Sequence, residues 1–304
     1  MRLNGRRVSS NIIDRRGSSS GGGFNFGGGR GGGNGFRIGG IGGVAGLIIF
    51  AVLYFIDGGN ISDLTGGQYH RSDIVSSDPN YTPTAHEEEL ATFAGQILAG
   101  TEDVWTAIFK ANGLTYEPPK LVLFSGAVQS GCGGATSQSG PFYCSADRCV
   151  YLDLSFFSSM KEQIGADGDF AYAYVIAHEV GHHVQNLLGT LGQAHQQMAR
   201  YKANSKEYNQ ISVRLELQAD FYAGVWANHD NKMYGSIEPG DIEEGLAVAS
   251  KIGDDYLQKQ AYGYTVPDAF NHGTSAQRSK WLKKGIASGD PSQGDTFSIA
   301  YNSL

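Results

Sequence analysis

The feature that most constrains this chain is His178-Glu179-Val180-Gly181-His182, set inside the apolar run from Ala171 to Leu188. A run of that length and composition reads as a helix. On a helix, residues four apart stand about 40° apart in azimuth and one turn apart along the axis. The two imidazoles therefore project from one face and can share a metal ion. Glu179 lies about 100° round from His178, beside such an ion rather than on it. There a carboxylate can take a proton from a polarised water. The alternative is a pair of surface histidines on an amphipathic helix. The spacing favours a zinc hydrolase, with one Zn2+ per chain.

A catalytic zinc takes three protein ligands and keeps one position open, so a third ligand must come from elsewhere. The extended three-histidine pattern is excluded, because Gln185 and Leu188 stand where it requires glycine and histidine. The preferred ligand is Glu216, in Glu216-Leu217-Gln218-Ala219-Asp220. Glu216 and Asp220 fall one turn apart on one helix face. Glu216 can ligate while Asp220 accepts the free N–H of a ligand imidazole and so sets its tautomer. Two carboxylates at this spacing would ordinarily be a solvated face. Here they follow the histidine pair and sit among Leu215, Leu217, Ala219 and Phe221. Glu207 is the runner-up. Peptide hydrolysis also needs a donor for the oxyanion. His272, in the loop Asn271-His272-Gly273-Thr274, is one candidate, with Tyr222, Tyr262 and Tyr264 competing. His183 points away from His178 and is expected to support or pack.

The span Ile38 to Ile56 carries no charge and would reach roughly 28 Å as a helix, close to the thickness of a bilayer core. It reads as one transmembrane helix. A cleaved signal peptide and a buried core helix are the rivals, and Asp57-Gly58-Gly59 is a poor cleavage site. Seven arginines and one aspartate precede the span, whereas the whole chain carries a net charge of -7. The positive-inside rule then sets the N-terminus in the cytoplasm and the acidic remainder in the periplasm or outside the cell. Nucleic acid is not an expected partner of so acidic a domain. Residues 17–40 are dominated by Gly and Ser, so residues 1–37 read as a disordered Arg/Gly-rich cytoplasmic tail. The expected organisation is that tail, the span 38–56, a linker 57–85 and a domain 86–304.

Cys132, Cys144 and Cys149 suggest one disulfide and a leftover thiol, Cys132–Cys144 being favoured over Cys144–Cys149. Within the domain, helical periodicity covers His86 to Asn112 with a break at Gly100. Lys120 to Phe124 and Val150 to Leu154 have strand composition, and the second of these is the expected edge strand. Further helices are expected over Ser205 to Asn228, Asp241 to about Gln258, and from Thr274 onward.

The strings AYVIAHEVGHHVQNLLG, ELQADFYAGVW, VYLDLSFF and NHGTSAQR closely resemble the neutral zinc metallopeptidase family of membrane-anchored bacterial proteins. The likeness runs from MRLNGRR to the last helix. More distantly, the motifs are similar to those of the membrane prenyl-protein endopeptidases. The resemblance implies His178, His182 and Glu216 as metal ligands, Glu179 as base, Asp220 as support and His272 as oxyanion donor. It implies that Arg278 ties the last helix to the site. It also implies the Cys132–Cys144 bridge and leaves Cys149 without a role. The expected architecture is α+β: a zincin-like metallopeptidase domain with a small sheet packed on helices, preceded by one transmembrane helix. Its partners would be a peptide or protein substrate and, through residues 38–56, a membrane. The alternative is a non-catalytic zinc-containing membrane-anchored adaptor. Substrate identity and oligomeric state are not legible.

Overall fold

A computed structural model describes residues 1–20, 75–77 and 81–304. The apolar span 38–56 and most of the linker lie outside the described residues. Among those described, no helix is long and apolar enough to cross a membrane. The elements are β1 (Ile12–Arg15), β2 (Ser18–Ser20), β3 (Val75–Ser77), α1 (Ala85–Ala111), β4 (Lys120–Phe124), β5 (Ala127–Ser130), β6 (Gly133–Thr136), β7 (Phe142–Cys144) and β8 (Cys149–Asp153). They continue with α2 (Ser155–Ile164), α3 (Asp169–Leu187), α4 (Thr190–Met198), α5 (Lys206–Tyr234), α6 (Asp241–Lys251), α7 (Asp254–Tyr262) and α8 (Ser275–Ser288). The class is mixed α+β, as the sequence suggests.

Helix α3 forms because its residues are apolar on nearly every side; Phe170, Ala173, Tyr174, Ile176, Ala177, Val180 and Val184 are all buried. It opens after Gly168 at φ 119° and closes before Gly189 at φ 80°, a left-handed conformation that glycine adopts without strain. Helix α5 is the second buried helix, with Val213, Leu217, Phe221, Val225 and Trp226 inaccessible. The two pack closely at Gly181. A Cβ there would sit 2.9 Å from the Ala219 carbonyl oxygen, so glycine at the centre of the histidine motif brings α5 onto α3.

The main sheet has the order β1-β4-β8-β7. β1 and β8 flank β4 in parallel, and β7 runs antiparallel to β8. The strand over Val150 to Leu154 is therefore interior rather than an edge, which corrects that expectation. Its side chains are buried throughout, the composition of a strand covered on both faces. The edge beside it is the short β7. A disulfide joins Cys132 to Cys144 and ties the loop between β5 and β6 to that edge. Cys149 is free and buried, although it is the cross-strand neighbour of Cys144.

Residues 1–16 are not a disordered tail. Their arginines read as free charge in sequence, but the fold supplies a carboxylate for several of them. Arg6 grips Asp230 through two hydrogen bonds of 2.6 and 2.8 Å, with Asp230 inaccessible to solvent. Glu102 accepts from Arg7, Ser9 and Asn11 at 2.9, 2.5 and 2.8 Å. Arg16 reaches Glu88 at 2.8 Å. Strand β1 then adds to β4 with Ile12 beside Leu121. The segment belongs to the same folded body as residues 85–304. Helix α1 also runs unbroken through Gly100, contrary to expectation. A Cβ at that position would meet Arg6 and Asp230 at 2.5 and 2.7 Å, so the apparent breaker makes room for the ion pair.

The helix expected over 241–258 is two helices, α6 and α7, because Gly253 passes against the Ser275 backbone. The break places Asp254 at the start of α7, beside the loop 271–273.

Candidate metal centre

Helix α3 presents His178 and His182 on one face, and α5 brings Glu216 against them. His178 Nε2 stands 3.2 Å from Glu216 Oε2, and His182 Nε2 stands 3.3 Å from Glu216 Oε1. One ligand atom from each residue lies within 4.8 Å of the others, the spacing of donors that can close on one ion. His178 and Glu216 are buried, and the His182 side chain is 12% exposed.

The remaining ring nitrogens set the tautomers. His178 Nδ1 is 2.8 Å from Asp220 Oδ1, which as a carboxylate can only accept. His182 Nδ1 is 2.8 Å from Gln185 Oε1. The Gln185 amide nitrogen donates to the Leu215 carbonyl and to Gln218, at 2.7 and 3.0 Å, which turns its oxygen toward His182. Both rings therefore keep a proton on Nδ1 and turn Nε2 toward Glu216, where a bound metal ion would take the place of any Nε2 proton. That donor set, two imidazoles and a carboxylate with supported rings, fits zinc.

Charge completes the fit. Asp220 also accepts from Tyr174 at 2.5 Å and from the Arg278 guanidinium at 2.9 Å twice, so Arg278 of α8 neutralises it. Arg278 reaches Glu216 only at 3.9 Å. Burial disfavours a charged His178, but Asp220 and Glu216 outweigh it and push the ring up to about 10. Surroundings that attract a proton so strongly are equally suited to a cation. Burial also raises Glu216, yet the His182 and His178 rings hold it well below the usual carboxylate range. Glu179 is different: burial lifts its carboxyl above that range, with the two imidazoles pulling the other way.

A family model described as "putative neutral zinc metallopeptidase" matches residues 1–297. The chain belongs to that family. Among its relatives are the uncharacterized protein YpfJ of Escherichia coli strain K12, 48% identical over 98% of this chain and 99% of that protein. Another is the uncharacterized protein Rv2575 of Mycobacterium tuberculosis strain H37Rv, 48% identical over 61% of this chain and 64% of that protein. No solved structure matches the chain. Membership in a zinc metallopeptidase family agrees with the donor set. The relatives' names add no substrate.

The other residues of this family member that the sequence singled out fall in three places. Glu179 is on α3 next to His178, and the backbone N–H of Tyr143 in β7 acts on its carboxylate. His183 does face away. Its Nε2 donates to the Glu117 carbonyl at 2.7 Å, and its Nδ1 accepts from the Tyr143 hydroxyl at 2.9 Å. Burial holds this ring down at about 4. His183 and Asn186 thereby pin the edge strand β7 to α3. Glu207 is exposed in the first turn of α5, away from the cluster. Tyr222 is buried against Trp105, and Tyr262 and Tyr264 lie beside each other, tilted, at the surface. His272 is buried, and its Nε2 has no hydrogen-bond partner.

Sequence reasoning missed Gln185 as the support of His182. It noticed the residue only as the wrong occupant of a glycine position. The available signal was the three-residue spacing from His182, which puts the amide on the neighbouring turn of the same face.

Proposed function

We propose that this protein is a zinc-dependent endopeptidase of the zincin-like type, with Glu179 as general base. The observation that carries this reading is the convergence of two imidazole Nε2 atoms and the Glu216 carboxylate beside a further buried carboxylate. His178, His182 and Glu216 would hold the ion. When bound, zinc supplies Lewis acidity toward water and the scissile carbonyl.

Glu179 takes a proton from the attacking water and returns it to the departing amine. Its raised proton affinity suits a carboxylate that must hold that proton between the two transfers. His272 donates to the oxyanion. The free edge of β7 pairs with the substrate backbone in extended form, since Tyr143 places this strand against Glu179.

Residues 38–56 attach the chain to a membrane in this reading, which rests on their apolar sequence. The docking of residues 1–16 on the domain supports one side for both. Cysteines introduced at Val8 and Leu114, both exposed, should react with an impermeant thiol probe from that same side. Labelling of one without the other would defeat that arrangement.

Cleavage of a proteome-derived peptide mixture by the zinc-loaded chain, beside its Glu179→Gln variant, tests the activity. Cuts made only by the native protein are expected. Equal cutting by both would remove Glu179 as base, and no cutting with zinc fully bound would favour the adaptor.

A further inference from the structure

The loop that carries His272 is organised by one residue, Asp254. Asp254 Oδ2 accepts the backbone N–H groups of Asn271, His272 and Gly273 at 2.8, 2.7 and 3.0 Å. Its other oxygen meets His272 Nδ1 at 2.9 Å. Asp254 is 2% exposed and His272 1% exposed. A carboxylate gripping three N–H donors is an acceptor throughout, so the imidazole must hold its Nδ1 proton. That leaves Nε2 as the working end of the ring, and Nε2 is buried without a partner. An unsatisfied buried nitrogen is costly in a folded protein and calls for a ligand that is not part of the chain.

The loop's position says which ligand. Ser212 donates to the Asn271 carbonyl at 2.8 Å, and Gly273 passes against Val213 and Leu217. These residues form the turns of α5 that carry Glu216. Two residues beyond Gly273 begins α8, whose Arg278 grips Asp220.

We propose that Asp254 is the positioning residue for His272, presenting its Nε2 to the oxygen of the scissile peptide carbonyl. The proposal rests on the endopeptidase reading above. In the charged ring Nε2–H donates to the oxyanion as it forms, while Asp254 keeps Nδ1–H engaged and the ring oriented. Asp254 itself touches no substrate. The break between α6 and α7 is then functional, because a continuous helix would not turn this carboxylate into the loop.

Asp254→Asn is the test, since its amide oxygen can still accept the three backbone N–H groups while its amide nitrogen faces Nδ1. A donor in that place moves the ring proton to Nε2. Imidazole 15N shifts of the full-length chain, labelled at histidine and recorded in alkaline solution, read this directly. The native protein should show a protonated Nδ1 and a bare Nε2 for His272, and the variant should show the reverse. In peptide cleavage the variant ring offers only a neutral Nε2–H, a weaker donor than the charged ring that Asp254 supports. So kcat should fall by less than the about 10²–10³-fold expected of His272→Ala, with KM and zinc content unchanged, and His272→Ala should lose no more when Asp254→Asn is added. A native ring protonated on Nε2, or a variant with native kcat, would overturn the proposal. Should the native chain cut no peptide at all, the endopeptidase reading fails, and the 15N shifts still decide whether Asp254 sets the ring.

Discussion

Two clusters of buried charge in this molecule use the same residue types and differ in what they leave over. Around Asp230 and Glu102 the arginines of the N-terminal segment meet the carboxylates at hydrogen-bond distance, and Ser9, Asn11 and Ser236 fill the remaining acceptor positions. Around Glu216 the guanidinium of Arg278 is spent on Asp220, and the partners of Glu216 are imidazoles with their Nε2 atoms turned inward. The first cluster is complete within the chain and holds an element in place. The second has a carboxylate to spare and is built to take a cation. Buried carboxylates are thus sorted by the cation that faces them rather than by their number.

The widest separation between the clusters should appear in catalysis. Glu179→Gln is expected to lower kcat by about 10²–10⁴-fold with zinc content and melting temperature unchanged, as removal of a general base should. A variant that lost zinc instead would make Glu179 a ligand. Next in size is the structural cluster. Arg6→Met leaves Asp230 buried without its cation and should destabilise the chain by about 3–5 kcal/mol in urea unfolding. Zinc affinity should stay as it was, and a parallel fall would show that the clusters are coupled.

A third effect lies in pH. His183 has its folded value lowered to about 4 by burial. A depressed histidine contributes stability that is full above its unfolded value near 6.5 and is lost as pH falls from there toward 4. Unfolding free energies across that window should decline by roughly 3 kcal/mol more in the native chain than in His183→Gln. Equal slopes would mean that His183 does not hold β7 as a neutral ring. Smallest is the support of His182: Gln185→Ala should weaken zinc binding by about 10–100-fold by competition with a chelator, because the ring loses its acceptor. An unchanged affinity would leave Asp220 as the support that matters.

Much of the centre was legible because its chemistry is local. His178, Glu179 and His182 are fixed to one another by helical geometry, and so are Glu216 and Asp220. Thr274 announces the start of α8, and the structure completes a capping box there with Gln277. What failed was long-range. The edge strand was assigned to 150–154 because composition does not say which side of a strand is paired. The N-terminal segment was read as a tail because its arginines look solvated until Asp230, Glu102 and Glu88 are placed beside them. Gly100 looks like a breaker yet opens space for Arg6, whereas Gly253, which the periodicity runs through, ends α6 and turns Asp254 toward the loop of His272.

By itself, the sequence determined the helix that carries two imidazoles and the Glu179 carboxylate, the second helix with its pair of carboxylates, and the family. Periodicity and short spacing decide those things, and neither depends on distant partners. Only the tertiary structure decided that Gly181 lets the helices close until Glu216 meets both rings, that Asp220 serves His178 while Gln185 serves His182, and that the first sixteen residues belong to the domain. Each of these depends on which groups packing brings together, and burial, by removing water as the alternative partner, makes those meetings decisive.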